Sequence, residues 1–319
     1  MAKSPARKSA ARTAPATDAY QDVTDAIIAA LEAGVKPWAK PWQSGAVAQF
    51  PLRSCGTQYR GINVLVLWMT AQAKGYSSPF WMTFKQALTF EGACVRKGEK
   101  GSKVFYSGTR EITGEDANGN EESRLAHFLK SYTVFNVEQI DGLPARFYPA
   151  PVAPTEREKA QRIDHAEAFF TAIPSIVNHG GNQAYYRPST DQIQMPEIEA
   201  FEDAERYYST LAHEHIHWTK HETRLDRDLG KKVWGDAGYA AEELVAELGA
   251  AYSCATLGFS PSHIEDHAAY IESWLQVLKS DKRAIFTAAS HAQRAADFIA
   301  AFSGANIADE EGDDEQCAA

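Results

Sequence analysis

The sequence predicts an α+β protein of two domains: a small domain mixing helices with an antiparallel sheet, followed by a mostly helical one. Three observations predict this. The chain has 319 residues, about twice an ordinary domain length. Apolar residues alternate with a period of two over 103–112 and 125–137, but recur at helical spacing nearly everywhere after 201. Between the two regimes, at 149–154, lies PAPVAP, Pro-rich and without period, which reads as a linker.

The elements follow in order. Residues 1–17 are basic and lack the apolar run of a secretory leader, so they predict a disordered arm. In YQDVTDAIIAALEAG, Val23, Ile27, Ile28 and Leu31 share one face and Gly34 suits the position just past a helix end. A second helix is expected after Asn63, a good N-cap, stopping at Gly75. Thr83-Phe-Lys-Gln86 is a capping box that opens a short third helix ended by Gly92. Strands are expected at 93–96, 103–112 and 125–137, joined by KGEKG and DANGN. These complete a first domain at 18–148. The second, at 155–303, opens with a helix capped by Thr155 and Glu158, then a hairpin at 184–196. Helices at about 201–222, 239–257, 262–279 and 282–302 follow. The acidic stretch 304–319 predicts a disordered tail.

Composition narrows the function. No run of about 18 apolar residues is present, so no membrane span is expected. Cys55, Cys94, Cys254 and Cys317 form no C-x-x-C pair, the pattern of a reducing cytoplasm. Net charge is -10, but it divides unevenly: 18 Lys/Arg against 13 Asp/Glu in residues 1–150, and 14 against 29 in the rest. From Gly34 to Arg110 there are 11 basic residues and two acids, Glu91 and Glu99. Aromatic and amide side chains interleave with those cations. Single-strand binding needs cations along the phosphates and ring faces for the bases. The candidates are Trp42, Tyr59, Arg60, Asn63, Trp81, Thr83, Lys85, Gln86, Lys97, Lys100 and Lys103, with Trp81 the best stacking ring. An acidic protein is the other ligand this charge suits.

The sharpest motif is His213-Glu214-x-x-His217, inside a predicted helix. Residues four apart share a helix face, so both imidazoles reach one zinc ion, and Glu214 reaches the attacking water as general base. His215 is turned to the opposite face. His221 lies about 12 Å along the axis from His213, too far to share one ion. Lys220 and Thr223 stand where a metzincin has Gly and His, so the third ligand must come from elsewhere. The Ala/Gly-rich stretch 240–258 carries Glu243 and Glu247 one turn apart. Glu243 is the expected ligand and Glu247 the orienting carboxylate, with the swapped assignment open. The site is then gluzincin-like, taking Zn2+ or another divalent ion such as Mn2+. Tyr185 or Tyr186, in the hairpin, is the candidate for assisting an oxyanion.

Several stretches, in this order, resemble the ArdC-type plasmid antirestriction proteins. They are YRGINVLVLW, WMTFKQA, GACVRKGEKGSKVFY and YTVFNVEQIDGLP, then AYYRPSTDQIQMP, YYSTLAHEHIHWTKHETRLDR and YAAEELVAELGAAY. The resemblance covers about residues 18–302. It implies an N-terminal single-stranded-DNA-binding domain, shared with plasmid conjugation primases, and a C-terminal zinc-metallopeptidase domain. It also implies protection of incoming plasmid DNA from restriction during conjugation, and metal ligation by His213, His217 and a downstream Glu beside Glu214. DNA-bound protein is the substrate class open to such a peptidase, and a purely structural metal is the alternative.

Overall fold

The computed structural model describes residues 18–38, 49–115, 121–148, 155–229, 237–259 and 268–304. The expected arm, linker and acidic tail (apart from Gly304), the DANGN turn and Trp42 lie outside the described residues.

Helix α1 (Ala19–Glu32) starts on Asp18, whose carboxylate accepts from the Tyr20 amide, and Gly34 takes a φ of 75° just past its end. Strand β1 (Leu52–Arg53) precedes helix α2 (Ile62–Lys74), which stops on left-handed Gly75 as expected. Its N-cap is Gly61, not Asn63. Asn63 sits in the first turn and reaches across to the sheet instead. Its Oδ1 accepts from the Phe105 amide at 2.7 Å and its Nδ2 donates to the Phe105 carbonyl at 2.8 Å. A tertiary partner has taken the amide that a cap would have used.

Strand β2 (Phe80–Thr83) leads into α3 (Phe84–Ala87), where both halves of the Thr83–Gln86 capping box form. The helix ends at Ala87, before Gly92. Then come β3 (Cys94–Val95), β4 (Ser102–Glu115), β5 (Glu121–Asn136) and β6 (Ile140–Asp141). The main sheet has the order β1-β2-β5-β4, antiparallel except for the β1–β2 pair; β3 pairs with β6. Strand β2 is interior to the sheet and covered on both sides. Trp81 enters the main core while its neighbour Met82 enters a second, smaller one with Val137, Ile140 and Phe147.

The second half begins with α4 (Glu156–Thr171), capped by Thr155 and Glu158 as expected. Strands β7 (Ile176–His179), β8 (Tyr185–Arg187) and β9 (Gln192–Met195) make a sheet of order β7-β9-β8. Helices α5 (Ala204–Trp218), α6 (Ala237–Leu257), α7 (Ala268–Ser280) and α8 (Ala284–Phe302) complete it. Helix α6 approaches α5 closely because position 249 is glycine: a Cβ there would lie 2.8 Å from Cγ1 of Ile216. That approach sets the distance between the motif helix and the acidic helix.

The two domains do not hang apart on a linker. Trp38, Trp68 and Trp81 belong to the same buried cluster as Trp218, Tyr252 and Trp274. Thr24 donates to the Lys282 carbonyl at 2.8 Å, and the Gly61 amide donates to Gln293 at 2.9 Å. Tyr252 donates to the Gly61 carbonyl at 3.0 Å, and Arg60 pairs with Asp297. Burial of this many large apolar groups, at roughly 25 cal/mol per Å² of apolar surface, makes separate movement of the halves costly. No described helix is long and apolar enough to cross a membrane.

Candidate metal centre

Helix α5 starts on Asp203, whose carboxylate accepts from the Arg206 amide at 2.8 Å, and it presents His213 and His217 one turn apart. Their Nε2 atoms face each other at 3.2 Å. The Glu243 carboxylate on α6 closes the triangle, with one oxygen 3.5 Å from His213 Nε2 and the other 3.5 Å from His217 Nε2. Donors bound at 2.0–2.1 Å to a tetrahedral ion sit about 3.3 Å from one another. The three edges therefore fit a divalent ion, and among the described residues these three make the one metal-competent cluster. Glu214, 6% exposed, lines the same cleft of about 790 Å³.

The electrostatics match a cation site. Burial disfavours the imidazolium of His217, but Glu243 and Glu242 outweigh it and push the pKa up to about 9. His213 is likewise lowered by burial and raised, on balance, by Glu243. Burial works against the Glu243 carboxylate too, yet the two histidines hold it well below the usual range. All three shifts favour the charged forms, imidazolium on the two rings and carboxylate on Glu243.

Support for the ligands comes from residues that the sequence did not single out. The Glu242 carboxylate accepts from His217 Nδ1 at 3.1 Å, fixing the ring so that Nε2 points inward. Arg227, 1% exposed at its side chain, grips Glu242 through two contacts of 2.8 Å. It also donates to the Ile216 carbonyl at 2.9 Å and to Thr219 at 3.0 Å, tying the end of α5 to α6. Glu242 sits beside Glu243 in AAEEL, so a second buried acid was visible there; Arg227 left no signal at all.

Glu247 does not orient a histidine through the Nδ1 contact that Glu242 makes. Its carboxylate accepts from Trp38 Nε1 at 3.1 Å and lies 3.9 Å from Lys36 Nζ, fastening the N-terminal region to α6. His215 turns away as expected: it contacts the Leu211 carbonyl and Ser175 Oγ, both at 2.8 Å, and burial pulls its pKa down to about 4. His221 stands at the cleft rim against Thr223. Tyr186 donates to Asp191 at 2.8 Å and accepts from Arg224 at 3.3 Å, and Tyr185 accepts from Arg187 at 2.7 Å. Tyr186 thus spends its proton within the hairpin, whereas Tyr185 only accepts there; both line the cleft. Arg224 also binds the Trp218 carbonyl, so the Asp191–Arg224 pair clamps the hairpin onto the end of α5.

The nucleic-acid candidates divide. Trp81 (1%) and Tyr59 (6%) are buried, and their rings pack against protein rather than facing solvent. Thr83 and Gln86 are consumed by their capping box, Asn63 by Phe105, and Arg60 by Asp297. Lys103 pairs with Asp22 at 3.2 Å. Lys85, Lys97 and Lys100 remain exposed. Beside Lys85 on α3 and just after it, Phe84 and Leu88 are 47% and 54% exposed, and Arg146 lies over the Phe90 ring at 5.9 Å. These apolar side chains were passed over in the sequence because a lone Phe at a helix start carries no pattern.

The motif helix, the third carboxylate one helix away and the small sheet beside it define a zincin-like metallopeptidase domain. Residues 164–291 match the family of that description, and residues 17–135 match the N-terminal domain of anti-restriction factor ArdC. The chain belongs to the ArdC-type antirestriction family. It is 46% identical to the metal-free crystal structure of antirestriction ArdC protein from plasmid R388, with a TM-score of 0.75 over 90% of this chain and 98% of that one. Against the Mn(II)-bound structure of that protein the identity is 44% and the TM-score 0.72, over 91% and 100% of the two chains. An uncharacterised Sinorhizobium fredii protein, y4eC, is 46% identical over 76% of this chain and 77% of its own length. A DNA primase TraC from Escherichia coli is 40% identical over 77% of this chain, which spans 23% of the primase.

Proposed function

We propose that this protein binds single-stranded plasmid DNA entering a cell by conjugation and protects it from host restriction in the cytoplasm. In this reading the second half works as a zinc-dependent peptidase centre. The observation that carries the metal half is the donor triangle of 3.2, 3.5 and 3.5 Å on His213, His217 and Glu243. The DNA half is supported by the exposed cations Lys85, Lys97 and Lys100 in a region with a basic excess, beside exposed Phe84. The N-terminal family match and the likeness to the TraC primases support the same reading.

A divalent ion, zinc or Mn2+ in its place, would lower the pKa of a water to about 7 and polarise a carbonyl. His213, His217 and Glu243 would hold it. Glu242 and Arg227 keep His217 in the ligating tautomer. Glu214 accepts the proton of the attacking water and returns it to the leaving amine. The substrate class this suits is protein held on the same DNA.

The test compares wild type with Glu214→Ala, which retains the three ligands. Transfer of restriction-sensitive plasmid DNA and cleavage of DNA-bound proteins are measured together. Loss of both supports a peptidase that acts in protection. Full protection without cleavage in either protein identifies a DNA shield with a structural metal instead.

A further inference from the structure

The cleft needs a donor for the negative charge that develops on a carbonyl oxygen during hydrolysis, and in the hairpin Tyr186 spends its proton on Asp191. A pair of tyrosines from α6 and α7 lines the same cleft. Tyr239 is in the first turn of α6, four residues before Glu243 and therefore on the same helical face. Its phenol lies close enough to the Glu243 carboxylate, the group that faces both histidines, to feel its charge. Its oxygen is 3.0 Å from the hydroxyl of Tyr270 on α7. Both side chains line the cleft together with Glu214.

The pair is held rigidly. The two tyrosine rings stack with centroids 6.1 Å apart and 22° between planes. Tyr270 stacks in turn on Trp274 at 6.2 Å, and Trp274 packs edge-on against Trp38 at 5.7 Å. Two phenols with one short contact between them can align their protons in one direction, Tyr270 toward Tyr239 and Tyr239 toward the cluster. Fixed donors aimed at developing charge are worth most in a closed, partly dry site.

From this geometry we infer that Tyr239, oriented by Tyr270, is the hydrogen-bond donor to the anionic oxygen of a tetrahedral ligand in the cleft. The inference rests on the peptidase reading above. In the reaction, water oxygen bonds to the carbonyl carbon and its proton passes to Glu214. The C–N bond then breaks and that proton goes to the amine. Tyr239 keeps its own proton throughout, so it strengthens one hydrogen bond and transfers nothing.

The test uses the full chain loaded with Mn2+ and a phosphinic peptide, whose tetrahedral anion mimics the hydrated amide. The control is the same peptide with the phosphinate replaced by a methylene. Calorimetric affinity is measured for wild type, Tyr239→Phe and Tyr270→Phe, with metal content determined for each. Tyr239→Phe should bind the phosphinic peptide about 10- to 100-fold more weakly, the loss of a hydrogen bond to a charged group, with unchanged metal content and control-peptide binding. Tyr270→Phe should lose about 2- to 10-fold, since it removes only the orienting contact. Wild-type affinity in Tyr239→Phe overturns the assignment. So does a fall in its metal content, which would make Tyr239 a prop for Glu243. If the metal-loaded wild type itself prefers the phosphinic peptide no more than the control, the peptidase reading fails first and this inference falls with it.

Discussion

Replacing Arg227 by methionine separates the electrostatic support of the metal centre from the ligands themselves. The guanidinium is 1% exposed, makes two 2.8 Å contacts to Glu242, and bonds the Ile216 carbonyl and Thr219. Methionine fills a similar volume but leaves Glu242, itself 8% exposed, without its main counter-charge. Breaking one side of a buried, hydrogen-bonded ion pair costs about 3–5 kcal/mol. Glu242, now held at about 2 because Arg227 and His217 outweigh its burial, would take up a proton more readily. It would then orient His217 less firmly, and loss of such a partner typically lowers metal affinity about 10- to 100-fold. Chemical denaturation in chelator reads the first quantity and calorimetric metal titration the second. An apoprotein within 1 kcal/mol of wild type, by the same reckoning, with wild-type metal affinity would refute the view that this buried pair props the site.

The other predictions concern the metal, the helix contact and the DNA face. Metal must displace protons from the cluster, and His217 in the apoprotein titrates at about 9, raised by Glu243 and Glu242 against its burial. Proton-linked stability of the apoprotein should be full below about 6.5, the unfolded value, and decay as pH rises through 9. Metal affinity should therefore climb from pH 6 to 9 and level off above. A flat titration, or equal metal content in His217→Ala and wild type, would contradict the ligand set. Gly249→Ala should destabilise the protein by about 1–3 kcal/mol in thermal unfolding, since its Cβ would meet Ile216 at 2.8 Å, and should weaken metal binding by parting α5 from α6. Lys85→Ala and Lys97→Ala should each reduce the log–log salt slope of single-strand binding by about 0.7 with folding intact, measured by fluorescence anisotropy. Trp81→Ala should instead shift unfolding to lower denaturant, because it removes about 3–5 kcal/mol of packing from the shared core.

Residues whose meaning depends on near neighbours were legible in the sequence. Thr83 with Gln86, Thr155 with Glu158, and Gly34 and Gly75 past their helices all did what local hydrogen bonding and backbone freedom require. The spacing of His213 and His217 reached the site by the same route, since one helical turn decides which two rings meet. What the sequence left open were choices between partners distant along the chain. Glu243 and Glu247 lie on one face of one helix, and only the approach of α5 through Gly249 brings the first to the histidines while Trp38 takes the second. Trp81 and Phe84 are both aromatic residues in a basic region. A sheet covered on both sides hides the tryptophan and leaves the phenylalanine in water. Arg227 is one cation among 32 until folding removes it from solvent and sets it against Glu242. Period and capping are properties of a dozen adjacent residues, whereas burial and pairing belong to the packed chain, and only tertiary structure could assign them.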